Sequence, residues 1–425
     1  MQESIGFLPM LRLTCLLLLA LPFLAGPAAA PADGGIPTLA SAQNEFAFDL
    51  YQGLRNKGAK PDNLFFSPYS VWSALLMARE GARGKTAVEM DALLRTKDVA
   101  RGSAWKHLKG LLKPPSFQDG YGKEAKTRPA YELNIANAVW GQALHPFKVK
   151  FTVALADEYG APLERADFTD EPAARKLIND WVEKQTKDKI KDIVPEGVLT
   201  PQTRMVLANA IYFKAAWQDK FEERWTKPGD FEGPDGKTQS VLYMHRRGVY
   251  ARGALDGVQA LELPYRKGAT SMWVLVPEEG QTLGALEDKL DPAFLSRIGQ
   301  TLKREELKLY LPKWKFTTAR EISEVLKGLG MPLAFSPSKA DFSGITDDER
   351  LFIGAALHKA FVAVDEEGTE AAAATVLVMK GTAFNPKEPP TFRVDRPFVF
   401  VIRHKETGAV LFMGRVTKPT AAETK

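Results

Sequence analysis

The chain has 425 residues, of which 45% are hydrophobic and 26% are charged. This length and composition are those of a globular protein with a large core, and they exclude the fibrous and disordered classes. The formal net charge is only +5, and the sequence contains no dense basic run. The charge pattern therefore gives no support to nucleic-acid binding.

The amino terminus has the pattern of a secretion signal. Arg12 precedes an apolar run over residues 13–24, and small residues over 25–32 follow it. The run is shorter than the roughly 20 residues that a membrane-spanning helix needs, which favours a cleaved signal over a membrane anchor. We therefore expect a signal peptide over residues 1–32 and a single domain over 33–425. The domain would be secreted or, in a bacterium, periplasmic or part of the cell envelope.

Cysteine usage agrees with an exported chain that needs no disulfide. Cys15 is the only cysteine, and it lies inside the expected signal peptide. The mature chain would then be held together by burial and hydrogen bonds alone, which a domain of this size allows.

The first half of the domain begins with helices. Apolar spacing predicts a helix over residues 42–55 and a second over 67–81, with Pro68 in its first turn. Residues 114–129 are polar and contain several proline and glycine residues, so they are predicted to be a loop or an insertion.

The remaining elements are mostly strands. The pattern predicts strands over 131–140 and 204–213, an amphipathic helix over 173–189 and a meander of short strands over 239–277. Further elements are predicted as a strand over 307–316, a helix over 322–329 and strands over 361–364, 391–394, 398–403 and 410–415. This mixture indicates an α+β fold with antiparallel or mixed sheets.

A search for catalytic chemistry finds no arrangement that would support it. The five histidines show no metal-ligand spacing, and no nucleophile elbow, Walker loop or dinucleotide-binding motif follows a predicted strand. Carboxylate pairs such as Glu366 and Glu367 are more typical of solvated charge than of a glycosidase dyad. We therefore expect neither an enzyme nor a metal or cofactor site.

The most informative stretch follows the strand predicted to end at Val364. Gly368 turns the chain, small residues follow, and the prolines Pro386, Pro389 and Pro390 close the stretch. One interpretation is a long exposed loop over about 368–390, within which residues 370–374 would also suit a short alanine-rich helix.

The same stretch has the alternation of a strand that could be added to a sheet. One face would carry only uncharged residues: Thr369, Ala371, Ala373, Thr375, Leu377 and Met379. The charges of Glu370 and Lys380 would fall on the other face. Each ladder hydrogen bond gained contributes about 1 kcal/mol net, so insertion of the whole segment would release on the order of 10 kcal/mol.

Other motifs accompany this stretch in a fixed order. They are residues 63–70 (NLFFSPYS), 209–217 (NAIYFKAAW), 311–313 (LPK), 340–345 (ADFSGI), 358–360 (HKA), 366–375 (EEGTEAAAAT) and 395–398 (DRPF). The chain resembles the serpins, a family of serine protease inhibitors, over about residues 42–419, and within them the inhibitory type. With its signal and its lack of disulfides it is most similar to a prokaryotic secreted member.

This resemblance implies a fold of three β-sheets, eight or nine helices and an exposed reactive-centre loop. It also implies suicide-substrate inhibition: a target serine protease attacks the loop, forms a covalent acyl complex and is trapped when the cleaved loop inserts into the central sheet. We expect a monomer that needs no cofactor and, once its signal is removed, no membrane.

The resemblance assigns three groups of residues to this mechanism. The hinge would comprise Glu367, Gly368, Thr369, Glu370, Ala371, Ala372, Ala373, Ala374 and Thr375. The breach at the top of the sheet would contain Trp217, Lys313 and Glu366, with an ion pair holding the hinge. The shutter beneath the central strands would contain Ser67, Ser70, Asn209 and His358.

The position of the reactive bond is less closely defined. Family spacing puts it between Thr382 and Ala383, with Gly381, Lys380 and Met379 as alternatives for the residue before the cut. A small residue there suits an elastase-like or subtilisin-like protease, whereas Lys380 would suit a trypsin-like enzyme. The remaining alternatives are inhibition of cysteine proteases and a non-inhibitory role as carrier or chaperone.

Overall fold

The computed structural model of the protein describes residues 36–55, 61–97, 99, 101–119, 125–348, 350–369 and 388–420, all within the compact unit Gly35–Lys425. In these residues the chain forms nine α-helices and three β-sheets. The predicted α+β class and the predicted numbers of sheets and helices are confirmed. The expected signal peptide, residues 1–32, lies outside the described residues.

The first two long helices are those that the apolar spacing predicts. The helix α1 runs over Ile36–Leu54 and α2 over Pro68–Gly81. The hydroxyl of Ser67 caps α2 by accepting the amide N–H of Ser70 at 3.1 Å, and Pro68 presets the dihedral angle of the first turn. The other helices are α3 Gly84–Leu94, α4 Arg101–Leu111, α5 Val149–Ala154, α6 Glu171–Gln185, α7 Leu283–Glu287, α8 Pro292–Thr301 and α9 Ser323–Gly328.

The strands are β1 Leu64–Phe66, β2 Ser116–Asp119, β3 Lys126–Pro129, β4 Glu132–Gln142, β5 Glu164–Ala166, β6 Met205–Ala216, β7 Lys227–Glu232, β8 Thr238–Leu255, β9 Val258–Pro264, β10 Thr270–Pro277, β11 Lys303–Pro312, β12 Trp314–Glu321, β13 Ala355–Val364, β14 Gly368–Thr369, β15 Thr391–Arg393, β16 Phe398–His404 and β17 Val410–Val416. Nine strands form one sheet in the order β1-β17-β16-β10-β9-β8-β11-β15, with β7 paired to β8. Six form a second sheet in the order β12-β13-β14-β6-β4-β5. The hairpin β2–β3 is the third sheet.

The six-stranded sheet is forked at its centre. Strands β6 and β13 pair in parallel from Val206 and Ala355 to Ile211 and Ala360. Beyond this point β14 lies between them and pairs antiparallel with both strands. Two strands that are direct neighbours in one half of the sheet are therefore separated in the other half.

The two faces of β6 bury different cores. Leu207 and Ile211 belong to the main core, which also contains residues of α2 and of the nine-stranded sheet. Ala208 and Ala210 alternate with them and belong to a smaller core against Ile178 and other residues of α6. This period of two is that of a strand covered on both faces.

Two predictions about local structure are wrong. The loop alternative for residues 114–129 is wrong for residues 116–119 and 126–129, which pair as β2 and β3, because side chains of β2 are anchored on a distant turn described below. The alternative of an insertion stays a prediction. The strand predicted over 307–316 is two strands, since the chain changes sheet at Lys313. The amide N–H of Lys313 donates to the carbonyl of Leu242 at 2.9 Å, after which β12 joins the six-stranded sheet.

Candidate functional site

The hinge begins with a tight turn at the end of β13. The carboxylate of Asp365 accepts the amide N–H of Glu367 at 3.0 Å and that of Gly368 at 3.3 Å. Gly368 then passes so close to β6 that a Cβ atom would lie 2.1 Å from the carbonyl oxygen of Ala215. Only glycine fits at this position, and the turn directs the chain back into the fork between β6 and β13.

Thr369 lies inside the sheet. It pairs with Val364 of β13 and Ala215 of β6, it is 2% exposed, and its hydroxyl lies 2.6 Å from the hydroxyl of Tyr265. The ring of Tyr265 stacks on Trp217 with centroids 4.7 Å apart and planes 6° apart. We call Ala215, Trp217 and Tyr265 the hinge seat.

The expected boundaries of the exposed loop, 368–390, need correction. Gly368 and Thr369 already belong to β14, because β6 and β13 offer main-chain partners on both sides and Tyr265 satisfies the threonine hydroxyl. At the far end Pro389 is buried. The remaining hinge residues (Glu370, Ala371, Ala372, Ala373, Ala374 and Thr375) and the reactive-bond candidates (Met379, Lys380, Gly381, Thr382 and Ala383) lie outside the described residues.

The three breach residues converge on the turn before β14. Glu366 is 5% exposed, and its carboxylate accepts hydrogen bonds from Lys313 Nζ at 2.7 Å and from Thr226 Oγ1 at 2.6 Å. Burial acts to raise the pKa of Glu366, but the hydrogen bonds that the carboxylate accepts, together with the positive charge of Lys313, outweigh it and hold the pKa below its usual value. Trp217 donates its indole N–H to the carbonyl of Asp365 at 3.0 Å.

The shutter residues form one hydrogen-bonded cluster across three strands. His358 of β13, Asn209 of β6 and Asn137 of β4 lie at the same level of the sheet. Asn209 donates to Ser70 Oγ at 2.7 Å and to Asn137, and Ser67 donates its hydroxyl to the carbonyl of Leu411 at 2.7 Å. The cluster ties the sheet to the first turn of α2.

His358 carries its proton on Nδ1. Its Nε2 accepts the backbone N–H of Ser67 at 3.1 Å, so Nδ1 is the nitrogen that donates to Asn209 Oδ1. Burial lowers the pKa of His358 to about 3. The imidazole is therefore neutral at physiological pH, and it joins β13 to β6 as an ordinary hydrogen-bond donor.

The far end of the segment 370–387 is anchored in the other large sheet. Within the described ranges, strand β15 pairs with β11 alone, starting at Thr391 opposite Lys308. The guanidinium of Arg393 lies 4.5 Å from the ring centroid of Tyr243 and 5.0 Å from that of Tyr310. The two ends of the segment are thus held by different sheets.

Several residues of the site carry no sequence signal of their own. Tyr265 and Thr226 reach the hinge from strand ends far away in the chain, and neither stands in a recognisable motif. Asn137 is different, because it lies in a predicted strand of small residues and faces Asn209 across the ladder. A polar residue in such a strand could have been flagged as a shutter candidate.

Within the described part of the chain, no group of three or more histidine, cysteine, aspartate or glutamate side chains is arranged to hold a metal ion. In the same residues no helix is long and apolar enough to cross a membrane.

Comparison with known proteins assigns the fold to a family. The family model described as "Serpin (serine protease inhibitor)" matches residues 41–419. An uncharacterized serpin-like protein of Thermococcus kodakarensis is 38% identical over 391 residues, covering 91% of this chain and 87% of that protein. Leukocyte elastase inhibitor A of Rattus norvegicus is 35% identical, covering 90% of this chain and 99% of the relative.

A solved structure agrees with these relatives. Human thyroxine-binding globulin, determined in complex with thyroxine, superposes with a TM-score of 0.78 at 29% identity, covering 91% of this chain and all of the other. The chain belongs to the serpin family. Members of this family include both a protein named for elastase inhibition and one named for thyroxine binding.

We predict that Lys313→Met loosens the hinge. The carboxylate of Glu366 would keep only the hydrogen bond from Thr226, and loss of a charged hydrogen bond costs about 1–3 kcal/mol. Amide hydrogen exchange over residues 365–369, followed by mass spectrometry, should be roughly five- to 150-fold faster. Thr226→Ser keeps its hydroxyl and serves as the control. Equal exchange in Lys313→Met and the parent protein would show that the ion pair does not hold the hinge.

We also predict that His358 makes the protein sensitive to acid. Its pKa is about 3 in the folded state and about 6.5 unfolded, so the unfolded state binds the extra proton between these values. Stability is fully present above pH 6.5 and falls by about 1.4 kcal/mol per pH unit below it. Between pH 7 and pH 5, His358→Gln should lose about 2 kcal/mol less than the parent protein in denaturant titrations. Parallel losses in the two proteins would contradict this assignment.

Proposed function

We propose that this protein inhibits serine proteases by inserting its cleaved loop between β6 and β13. The single observation that carries the proposal is β14. Gly368 and Thr369 already occupy the entrance of the fork, paired on both sides. Once cleavage releases the segment after Thr369 from its far anchor, that segment could extend β14 between β6 and β13.

The register of β14 defines where the following residues would go. Continuing both ladders by two residues brings Ala371 between Val362 of β13 and Phe213 of β6, both of which are buried in the main core. Two residues further, Ala373 would lie between Ala360 and Ile211. Alanine adds little volume to this packed region, so Ala371 and Ala373 would meet no large steric barrier.

From the level of Ala360 and Ile211 onward the insertion would have to open the ladder between β6 and β13. One ladder would be lost and two gained, so each inserted residue adds main-chain hydrogen bonds worth about 1 kcal/mol net. Thr375 would then arrive between His358 and Asn209, which now bond to each other. Its hydroxyl can donate and accept, and it can therefore replace the bond that it interrupts.

The covalent step would be the first half of an ordinary protease reaction. The serine oxygen of the protease attacks the carbonyl carbon of the residue before the cut and gives its proton to the protease's general base. The peptide C–N bond then breaks, and the new amine takes that proton. The loop is then joined to the protease by an ester, and its amino-terminal part is free to insert. The strain of the uncleaved state is released before the ester is hydrolysed.

The proposed target is an elastase-like or subtilisin-like protease, with the bond between Thr382 and Ala383 as the cut. The small side chain of Thr382 supports a shallow primary pocket, and the similarity to leukocyte elastase inhibitor A agrees with it. Cleavage after Lys380 would instead favour a trypsin-like enzyme.

We predict that Ala371→Arg converts the inhibitor into a substrate, whereas Glu370→Arg does not. An arginine at 371 would have to enter the core beside Val362 and Phe213, which an ionised group resists. Residue 370 would face the opposite side, beside the half-exposed Ala363 and Lys214. With pancreatic elastase and subtilisin, the parent protein and Glu370→Arg should give SDS-stable complexes, and Ala371→Arg only cleaved protein.

Mass spectrometry of the released carboxy-terminal peptide identifies the cut in the same reactions, with a peptide starting at Ala383 expected. If elastase, subtilisin and trypsin all give cleavage of the parent protein without any SDS-stable complex, inhibition of these enzymes is rejected.

A carrier function is the second candidate, favoured by the similarity to thyroxine-binding globulin. Thermal unfolding before and after loop cleavage distinguishes the two. Insertion adds a complete strand to the sheet, so cleavage should raise the melting temperature by roughly 10–15 °C, because the unfolding entropy of a domain of about 390 residues converts about 1 kcal/mol into a shift of about 1 °C. An unchanged melting temperature would favour the carrier.

We further propose that the protein acts outside the cytoplasm as a monomer. The support is the signal-like pattern of residues 1–32 and the absence of cysteine after Cys15. Intact mass of the exported protein should correspond to a chain that starts at about Asp33.

A further inference from the structure

The hairpin β2–β3 is an isolated two-stranded sheet in the described residues. Its strands pair from Ser116 and Pro129 to Asp119 and Lys126, and it leads directly into β4. A two-stranded ribbon is only marginally stable by itself. Contacts elsewhere in the molecule must therefore determine where it lies.

These contacts are with the turn between β9 and β10. The aromatic ring of Phe117 lies 4.5 Å from the guanidinium of Arg266 and 5.1 Å from the ammonium of Lys267. Asp119 lies on the same face of β2 as Phe117 and binds the same guanidinium, with Asp119 Oδ1 and Arg266 Nη2 3.0 Å apart. A cation held by both a ring face and a carboxylate is well fixed, since the two attractions act together.

The turn between β9 and β10, which the hairpin contacts, also contains Tyr265 of the hinge seat. Arg266 directly follows Tyr265, and its amide N–H donates to the carbonyl of Ala216 at 2.8 Å. Lys267 and Gly268 both have left-handed backbone conformations, with φ of 66° and 69°, so the turn is tight. A displacement of Arg266 would therefore be transmitted to the hydroxyl of Tyr265 that bonds Thr369.

The hairpin also lies beside the end of β6 that does not pair with β4. The ladder of β4 with β6 ends at Lys214, and Ala215 and Ala216 are the residues that pair with β14. A cleft of about 390 Å³ lies between these residues and the hairpin, with Phe117, Asp119 and Arg266 in its lining. The hairpin and the hinge thus lie on opposite sides of the same end of β6.

We infer that the β2–β3 hairpin is a brace for the hinge seat, in which Phe117 and Asp119 act as positioning residues. By holding Arg266 they hold Tyr265, and Tyr265 holds Thr369 in the fork. This inference concerns the uncleaved protein, and its consequence for inhibition rests on the proposed function. A loosened seat would leave Thr369 out of the fork more often, so that insertion starts later and more of the loop is hydrolysed.

The test compares hairpin variants by hydrogen exchange without any protease. Phe117→Leu and Asp119→Asn should each speed exchange over residues 365–369 roughly tenfold, while exchange in α2 and at the shutter strands stays unchanged. Phe117→Tyr keeps the ring and should restore the parent rate. Ser116→Ala changes an exposed residue at the start of the same strand, and should have no effect on the hinge.

The second readout is the stoichiometry of inhibition with subtilisin. It should rise about twofold or more in Phe117→Leu and return to the parent value in Phe117→Tyr. The brace is rejected if Phe117→Leu speeds exchange within residues 116–129 but leaves residues 365–369 unchanged. If the parent protein inhibits no protease, the proposed function fails, and the exchange data still decide whether the hairpin holds the hinge.

Discussion

The main-chain hydrogen bonds of β6 and β13 are the constraint on which the rest of the structure depends. The two strands bond directly to each other as far as Ile211 and Ala360, and beyond that level each bonds to β14. A sheet with such a fork can accept a longer strand in the same register, because every added residue finds partners on both sides. The proposed insertion rests on this fork.

The polar clusters lie at the levels where this fork would have to change. Glu366 is held by Lys313 and Thr226 at the entrance, and His358 bonds Asn209 at the level where the two strands still pair. Hydrogen bonds of this kind can be exchanged one at a time for those of an incoming strand. Interlocked apolar side chains would have to be separated all at once. The position of polar groups between strands of a packed core is consistent with a sheet that opens.

Most of the fold could be predicted from the sequence where burial has a clear period. The helices α1, α2 and α6 and the strands β4, β6 and β17 were found because their apolar residues recur at helical or strand spacing. The hairpin β2–β3 could not be found in this way, since Phe117 and Asp119 are fixed by Arg266, which lies far away in the chain. The roles of Tyr265 and Thr226 could not be predicted for the same reason, since both residues contact the hinge only through the tertiary arrangement of strand ends.

The segment after Gly368 shows what alternation can and cannot establish. The alternation predicted that Thr369 faces the core, and Thr369 is buried against Tyr265; the faces of the residues after it stay a prediction. It could not show that this residue is already in the sheet, because entry depends on the spacing of β6 and β13, to which the local sequence does not contribute.

The most direct measurement is a crystal structure of the protein after cleavage within residues 379–383. Our account predicts a continuous strand from Gly368 onward between β6 and β13, with Thr375 at the level of His358 and Asn209. A cleaved molecule in which β6 and β13 remain paired from Val206 and Ala355 to Ile211 and Ala360 would contradict it.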